Sequence, residues 1–191
     1  MKKVIAAFNM TLDGICDHTA GIADEGLHRH YAELIENGSI IFYGRTTYQL
    51  MQYWQELLKN PSGETSMDSF AITIDKIQKL VFSNTLQETG WDSAELANKP
   101  LIEEVTDRRK QSGKSILIGS RSLIIQLLNE NLIDELQICI HPVIEGKGLV
   151  LFDQIKKKIA LKLIKTKSLH SGATVFYYEP LRNQPKDREA I

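Results

Sequence analysis

The chain has 191 residues, of which 42% are hydrophobic and 25% charged, a composition suited to one folded domain with a substantial core. A formal net charge of −1 argues against nucleic acid as the main partner, which would favour a basic stripe. No segment nears the ~18–20 apolar residues of a membrane helix, and Cys16 and Cys139 are too isolated to form a zinc knuckle or a disulfide framework.

Residues 4–8, Val4-Ile5-Ala6-Ala7-Phe8, read as a buried first strand. Lys2 and Lys3 precede it, but Asn9, Thr11 and Asp13 end the apolar run before a signal peptide's apolar region is complete. The chain is therefore expected in the cytoplasm with its thiols free. Asp13-Gly14 marks a turn. Asp24 and Glu25 then open a helix with Leu27, Tyr31, Leu34 and Ile35 on one face, and Asn37-Gly38 ends it. The stretch Ser39-Ile40-Ile41-Phe42-Tyr43 is a second inner strand that stops at Gly44. A helix follows at once, with Leu50, Met51, Trp54, Leu57 and Leu58 as its inner stripe. After the loop at Pro61 to Gly63, a shorter helix covers residues 67–76, and Lys79-Leu80-Val81-Phe82-Ser83 is a third strand ending at Asn84. Trp91 anchors a loop or short strand, and Pro100 starts a helix. Ser115-Ile116-Leu117-Ile118 is another strand cut off by Gly119-Ser120, ahead of a helix marked by Leu123, Ile124, Leu127 and Leu128.

The rhythm then changes. Leu136, Ile138 and Ile140 alternate with Gln137, Cys139 and His141, the pattern of a half-exposed strand. Two later strands flank the turn His170-Ser171-Gly172-Ala173 as a hairpin. The expected architecture is a three-layer α/β fold: a mostly parallel central sheet, helices on both faces, and an antiparallel C-terminal hairpin. It occupies residues 1–180 as a single domain, with a polar tail over 181–191.

Four polar segments follow inner strands: Thr11 to Gly14, Gly44-Arg45-Thr46-Thr47, Ser83-Asn84, and Gly119-Ser120-Arg121-Ser122. In an open α/β sheet they share the rim where ligands bind. Two of them also start helices, whose free N–H groups suit phosphate. Taken alone, each reads equally as a capped strand-to-helix turn. The usual nucleotide signatures, G-x-G-x-x-G and the P-loop, are missing, as is the nucleophile elbow. His18, His28, His30, His141 and His170 have no metal-ligand spacing, so no metal is expected.

An ordered set of short motifs resembles a known family. It comprises Leu12-Asp13-Gly14, Tyr43-Gly44-Arg45-Thr46-Thr47-Tyr48 with Tyr53-Trp54, Val81-Phe82-Ser83-Asn84, and Ile118-Gly119-Ser120. Leu132-Ile133-Asp134-Glu135-Leu136 and His141-Pro142-Val143-Ile144 complete it, followed by Gly146, Gly148, Leu151 and Phe152. Together they resemble the dihydrofolate reductase superfamily, and within it the C-terminal reductase domain of the bifunctional riboflavin-biosynthesis deaminase-reductase and its stand-alone relatives.

The resemblance implies an oxidoreductase using NADPH, with NADH possible, that passes a hydride to a small flat N-heterocycle. That substrate would be a pterin or a ribosylamino-pyrimidine of riboflavin synthesis. Ala6 and Ala7 match the backbone positions beside the nicotinamide carboxamide. Gly44, Arg45, Thr46 and Thr47 match the phosphate-holding turn, Ser83 and Asn84 the adenosine side, and Gly119, Ser120, Arg121 and Ser122 the turn beneath the diphosphate. Asn84 stands where many relatives carry a basic residue. His28 falls at the position of the folate enzymes' catalytic carboxylate. Asp13, Asp24, Glu25 and His28 are the proton-donor candidates, Asp24 and Glu25 lying one turn before His28. Thr11, Asp24, Tyr48 and Trp54 form the substrate-side set, although helical spacing also suits Tyr48 and Trp54 to core packing. A homodimer is implied, and neither nucleic acid nor membrane is an expected partner. The rival expectation keeps the fold as a non-catalytic nucleotide-binding or sensing module.

Overall fold

In the computed structural model, which describes residues 1–182, strands and helices alternate before a final run of strands. β1 (Val4–Thr11) leads to α1 (Glu25–Glu36), β2 (Gly38–Gly44), α2 (Arg45–Lys59), α3 (Thr65–Lys76), β3 (Gln78–Phe82) and β4 (Ala94–Leu96). Next come α4 (Leu101–Arg109), β5 (Ser115–Ile118), α5 (Arg121–Asn129) and β6 (Glu135–His141), then the hairpin β7 (Leu161–Ser168) and β8 (Thr174–Pro180). The strands form one sheet in the order β4-β3-β2-β5-β1-β6-β8-β7. β4 through β6 of that row run parallel, while β8 and β7 add antiparallel. This is the three-layer arrangement expected from the alternation.

Period-two alternation sends successive side chains of the inner strands into two different layers. Val4, Ala6, Ile40, Phe42, Ile116 and Ile118 meet α4 and α5 through Leu101, Val105, Leu123, Ile124 and Leu127. Ile5, Ile41, Tyr43, Val81 and Leu117 meet the other layer, through Ile35 of α1, Tyr48 of α2, and Phe70 and Ile74 of α3. A parallel sheet covered on both faces explains why these strands read as nearly continuous apolar runs. Trp91 is the expected anchor: its Nε1–H donates to Asp75 Oδ1 at 2.7 Å. Beside it Lys79 is fully buried. Its ammonium donates to Ile77 O at 2.9 Å and Ser93 Oγ at 2.7 Å and lies 4.0 Å from the Trp91 ring centroid. Burial pulls its pKa down to about 8.

Two expectations are corrected. In α2, Leu50 is exposed and Tyr48 is buried, with Met51 and Trp54 half-buried. The helix touches the sheet near its start and then lies on α3, which rotates the buried stripe away from Leu50. β6 is not half-exposed, because Gln137, Cys139 and His141 are all buried. Leu27 of α1 and Leu169, Ala173, Val175 and Tyr177 of the hairpin region close over Cys139, so the polar-looking face is roofed. Of the tail expected over 181–191, residues 183–191 lie outside the described residues. Leu181 N–H still donates to Ala160 O at 2.9 Å, and Arg182 pairs with Asp134. Among the described residues no helix is long and apolar enough to cross a membrane.

Candidate cofactor site on the sheet rim

The site arises from unequal strand lengths. β5 ends at Ile118, level with Ala6 of β1 and Phe42 of β2, while β1 runs on to Thr11 and β2 to Gly44. A notch therefore opens above Ile118, and beyond Ala6 the edge of β1 that faces β5 has no strand beside it. Gly119 forms the floor. Its N–H donates to Phe42 O at 3.1 Å, and a side chain there would come within 2.5 Å of the Tyr43 ring. Only glycine permits that approach.

Two helix starts meet across the notch. Ser120 occupies the N-cap position of α5, yet its hydroxyl does not cap that helix; Ser120 Oγ accepts the Gly44 N–H at 2.8 Å instead. Gly44 is the N-cap of α2 and offers no side chain. Neither threonine nor serine caps these helices, so the alternative reading of plain capped turns is corrected. Both first turns keep the N–H groups and dipole ends that attract anions.

Beside this seam lies a groove of about 770 Å³, bordered by Gly44 and Arg45, by residues 82–85 at the end of β3, by residues 97–101 ahead of α4, and by Ser122 and Leu123 of α5. Arg45 Nη1 donates to Thr85 Oγ1 at 2.9 Å, and among the described residues Arg45 has no carboxylate partner. Ser83 Oγ accepts from the N–H groups of Thr85 and Leu86 at 3.2 and 3.0 Å, shaping the turn that carries exposed Asn84. Thr46 is exposed and Thr47 half-buried in the first turn of α2. Ala6 and Ala7 are buried in β1. The structure thus gathers the expected cofactor residues on one rim, with one exception. The Arg121 side chain is committed to the segment after β6, its Nε–H donating to Val150 O at 2.8 Å and its guanidinium pairing with Asp153.

The substrate-side residues have other partners. Thr11 is buried and donates to Asp13 Oδ1 at 2.6 Å. Asp13 also accepts from the N–H groups of Glu145 at 3.1 Å and Gly146 at 2.7 Å. These bonds, led by the Thr11 hydroxyl, hold the Asp13 carboxyl down to about 2. The β1–α1 loop is zipped to residues 143–151 at further points, including Cys16 N–H to Leu149 O at 2.8 Å and Leu149 N–H to Asp17 Oδ2 at 2.7 Å. Asp24 caps α1, accepting from Leu27 N–H at 2.7 Å and Ser171 N–H at 2.9 Å. Burial alone would raise its carboxyl, but the N–H donors outweigh it and hold the group below the usual range. Glu25, beside it, pairs with Arg29 at the surface.

His28 sits in an aromatic box, 5.5 Å from Trp54 and 5.9 Å from Phe70 between ring centroids, with Nδ1 3.3 Å from Ser66 Oγ. Burial lowers its pKa, partly offset by Asp24 and Glu64. Trp54 stacks edge-on with Phe70 at 4.6 Å. Tyr48 is buried, its hydroxyl donating to Thr89 O at 2.8 Å, which makes it the core residue that its helical spacing also suited and takes it out of the substrate-side set. Burial raises the thiols of Cys16 to about 11 and Cys139 to about 12, so both are inert at neutral pH.

Sequence reasoning missed Thr85, Lys99 and Asn9. Thr85 follows the Ser83-Asn84 pair directly and was within reach of a wider window. Lys99 comes to the groove only through the β4 crossover. Asn9 lies on the β1 extension, where Oδ1 accepts the Tyr31 hydroxyl at 2.8 Å.

Solved proteins share this reductase-type fold. A putative riboflavin biosynthesis protein from Shewanella sp. PV-4 superposes with a TM-score of 0.69 at 21% identity, covering 94% of this chain and 99% of that one. A pyrimidine reductase-like protein from Corynebacterium diphtheriae gives 0.60 at 16%, covering 95% and 93%. The diaminohydroxyphosphoribosylaminopyrimidine deaminase/5-amino-6-(5-phosphoribosylamino)uracil reductase of Thermotoga maritima gives 0.65 at 16%, covering 94% of this chain and 57% of that longer one. The chain belongs to the RibD C-terminal domain family, which it matches over residues 2–175. It is also 32% identical over 181 residues to the uncharacterized protein YyaP of Bacillus subtilis (strain 168), covering 93% of this chain and 94% of YyaP.

The Asp13 staple has a pH signature. Its folded pKa of about 2 lies below the ordinary aspartate value of 3.8, so its stabilisation is complete above the unfolded value and is lost as pH falls toward 2. Urea midpoints followed from pH 5 to pH 2 are expected to drop less steeply for Asp13→Asn than for the unaltered protein. Equal slopes would show that the staple carries no stability.

Proposed function

We propose that this protein is an NAD(P)H-dependent reductase of a small flat N-heterocycle, of the pterin or 5-amino-6-(5-phosphoribosylamino)uracil type. The observation that carries this reading is the seam where Gly44 N–H meets Ser120 Oγ at 2.8 Å. It sets two helix starts without side-chain caps beside a groove whose Arg45 has, among the described residues, no carboxylate partner. The donor set fits an anionic diphosphate: the amides after Gly44 and Ser120 take the linker, and Arg45 offers a planar fork. When bound, NADPH supplies a hydride for the carbon of a C=N bond, and a proton must reach the nitrogen.

The chain's own residues would position and shield. The β1 edge beyond Ala6, unpaired with β5, would offer backbone groups to the nicotinamide carboxamide, and the zipped loops on the β1 side would form a wall that keeps water out. Of the candidate donors, Asp13 and Asp24 are committed as ionised acceptors. His28 is the titratable group we retain for the proton.

That commitment of both aspartates is also what favours the second reading, a module that binds the nucleotide without reducing anything. Titration with NADPH, followed by turnover on dihydrofolate and on 5-amino-6-(5-phosphoribosylamino)uracil, distinguishes the two. Arg45→Gln is expected to weaken NADPH binding by about tenfold, the effect of losing a charge-assisted hydrogen bond. Consumption of NADPH on either compound supports the reductase. Tight binding without consumption supports the sensing module, and no binding removes both.

The homodimer belongs to the same proposal. Leu161, Leu163 and Ile164 of edge strand β7 are exposed apolar side chains, a patch that a second copy would cover. Light scattering is expected to give twice the 21.6 kDa chain mass, and Leu163→Glu with Ile164→Glu to give the monomer mass. A monomer for the unaltered protein would refute it.

A further inference from the structure

β6 lies on the side of β1 away from β5, and its last residue is a histidine with an unusual set of contacts. His141 is fully buried, stands level with Thr11 of β1, and packs against the connection that runs from β1 to α1. In that connection Ile22 N–H donates to His141 Nδ1 at 3.1 Å. A backbone N–H can only donate, so Nδ1 carries no proton and the neutral ring keeps its hydrogen on Nε2. Nε2 has no partner among the described residues. Gly21 closes over it so tightly that a side chain there would come within 2.9 Å of Nε2.

Among the described residues, Gly21, Ile22 and Ala23 make no other hydrogen bond. On either side the chain is anchored. Asp17 accepts the Leu149 N–H at 2.7 Å, and Asp24 accepts those of Leu27 and Ser171. The stretch between the anchors is thus held by one imidazole, and only in its neutral form. A proton on Nδ1 would face the hydrogen of the Ile22 N–H and would place a charge inside the protein. Asp24 is the charged group that acts on the ring and favours that proton, but burial outweighs it and lowers the pKa below the ordinary histidine value of 6.5. The other neighbours bring no charge among the described residues. β1 presents Thr11, the hairpin turn presents Gly172 against Pro142, and Cys139 keeps its proton, its thiol raised to about 12. His170 of the same turn acts on Asp24.

We propose that His141 is an acid-released latch on the connection between β1 and α1. With the ring neutral, Ile22 is held and residues 21–23 lie closed against the end of β6. When the ring takes a proton, Ile22 is dropped and the segment swings away between its anchors at Asp17 and Asp24, which lets the imidazolium reach solvent. The sign follows from the proton count, because the open form binds the extra proton. Closure is complete above about pH 6.5 and is lost as pH falls below it, the open-to-closed ratio rising by up to about tenfold per pH unit. The latch does not depend on what binds in the groove.

Nuclear magnetic resonance of the labelled full chain tests this. At neutral pH the ring-nitrogen shifts of His141 are expected to report the tautomer with its hydrogen on Nε2. Amide exchange, expressed as protection relative to the intrinsic rate at each pH, is expected to fall about tenfold or more for Ile22 between pH 7 and pH 5. Gly146, held by an Asp13 carboxylate whose pKa is about 2, is expected to keep its protection over the same range. His141→Asn retains an acceptor for the Ile22 N–H but has no proton to gain, and its Ile22 protection is expected to stay level. A hydrogen on Nδ1 overturns the latch, as does Ile22 protection that is flat from pH 7 to pH 5 or that falls in step with Gly146. An unchanged pH dependence in His141→Asn assigns the effect to His28 or His30 and overturns it too. Should that variant not fold, the tautomer and the comparison of Ile22 with Gly146 in the unaltered protein decide.

Discussion

One hydrogen bond organises the rim: Gly44 N–H to Ser120 Oγ, 2.8 Å. It joins the two strand-to-helix turns on either side of the place where β5 stops short. A partly buried bond of this kind contributes only about 1 kcal/mol to stability, but its placement has a larger consequence. A serine at the head of α5 would ordinarily turn its hydroxyl back to cap its own helix. Here it is committed to the neighbouring turn, while α2 begins on a glycine that has no hydroxyl to give. The contact that locks β2 to β5 thereby leaves two positive helix ends open side by side.

The rest of the upper face divides into a rigid side and an open side. On the β1 side, Asp13 and Asp17 accept backbone N–H groups of residues 145–149, and Arg121 ties the head of α5 to Val150 and Asp153. Every one of these charges is matched within the protein. On the β3 side, among the described residues, Arg45 has a neutral partner and Lys99 exposed acids. Anion-seeking charge is thus concentrated on the β3 side, which suits the proposed reading in which a dinucleotide is held by its nucleotide half.

Much of this was legible in the chain itself. Apolar runs ended by glycine or polar pairs place residues 11–14, 44–47, 83–84 and 119–122 on one edge, because parallel strands all point their carboxyl ends the same way. Trp91 was readable as an anchor and Gly44 as a sharp junction. The roles of individual polar groups were not readable. A carboxylate that staples a loop, as Asp13 does, is spelled like one that donates a proton, and Asp24 reads as a helix start whether or not substrate lies above it. Tyr48 lies at the same helical spacing whether it stacks on a ligand or fills the core; only the Thr89 carbonyl, brought by a distant loop, decides it. β6 misled for a related reason: alternation marks one face as polar but does not say that α1 and the hairpin will roof it. Lys99 is near Arg45 only through the strand order, which no local window contains.

The central claim, that a dinucleotide lies along this rim with its linker on the seam, is tested most directly by amide chemical-shift mapping of the labelled protein as NADPH is added. The account predicts that the largest shifts fall on the backbone amides of Arg45, Thr46, Ser120 and Arg121, with smaller ones at Ser83 to Thr85. Shifts confined to the hairpin or to the exposed face of α4, with the Arg45 and Ser120 amides unmoved at saturation, would contradict it.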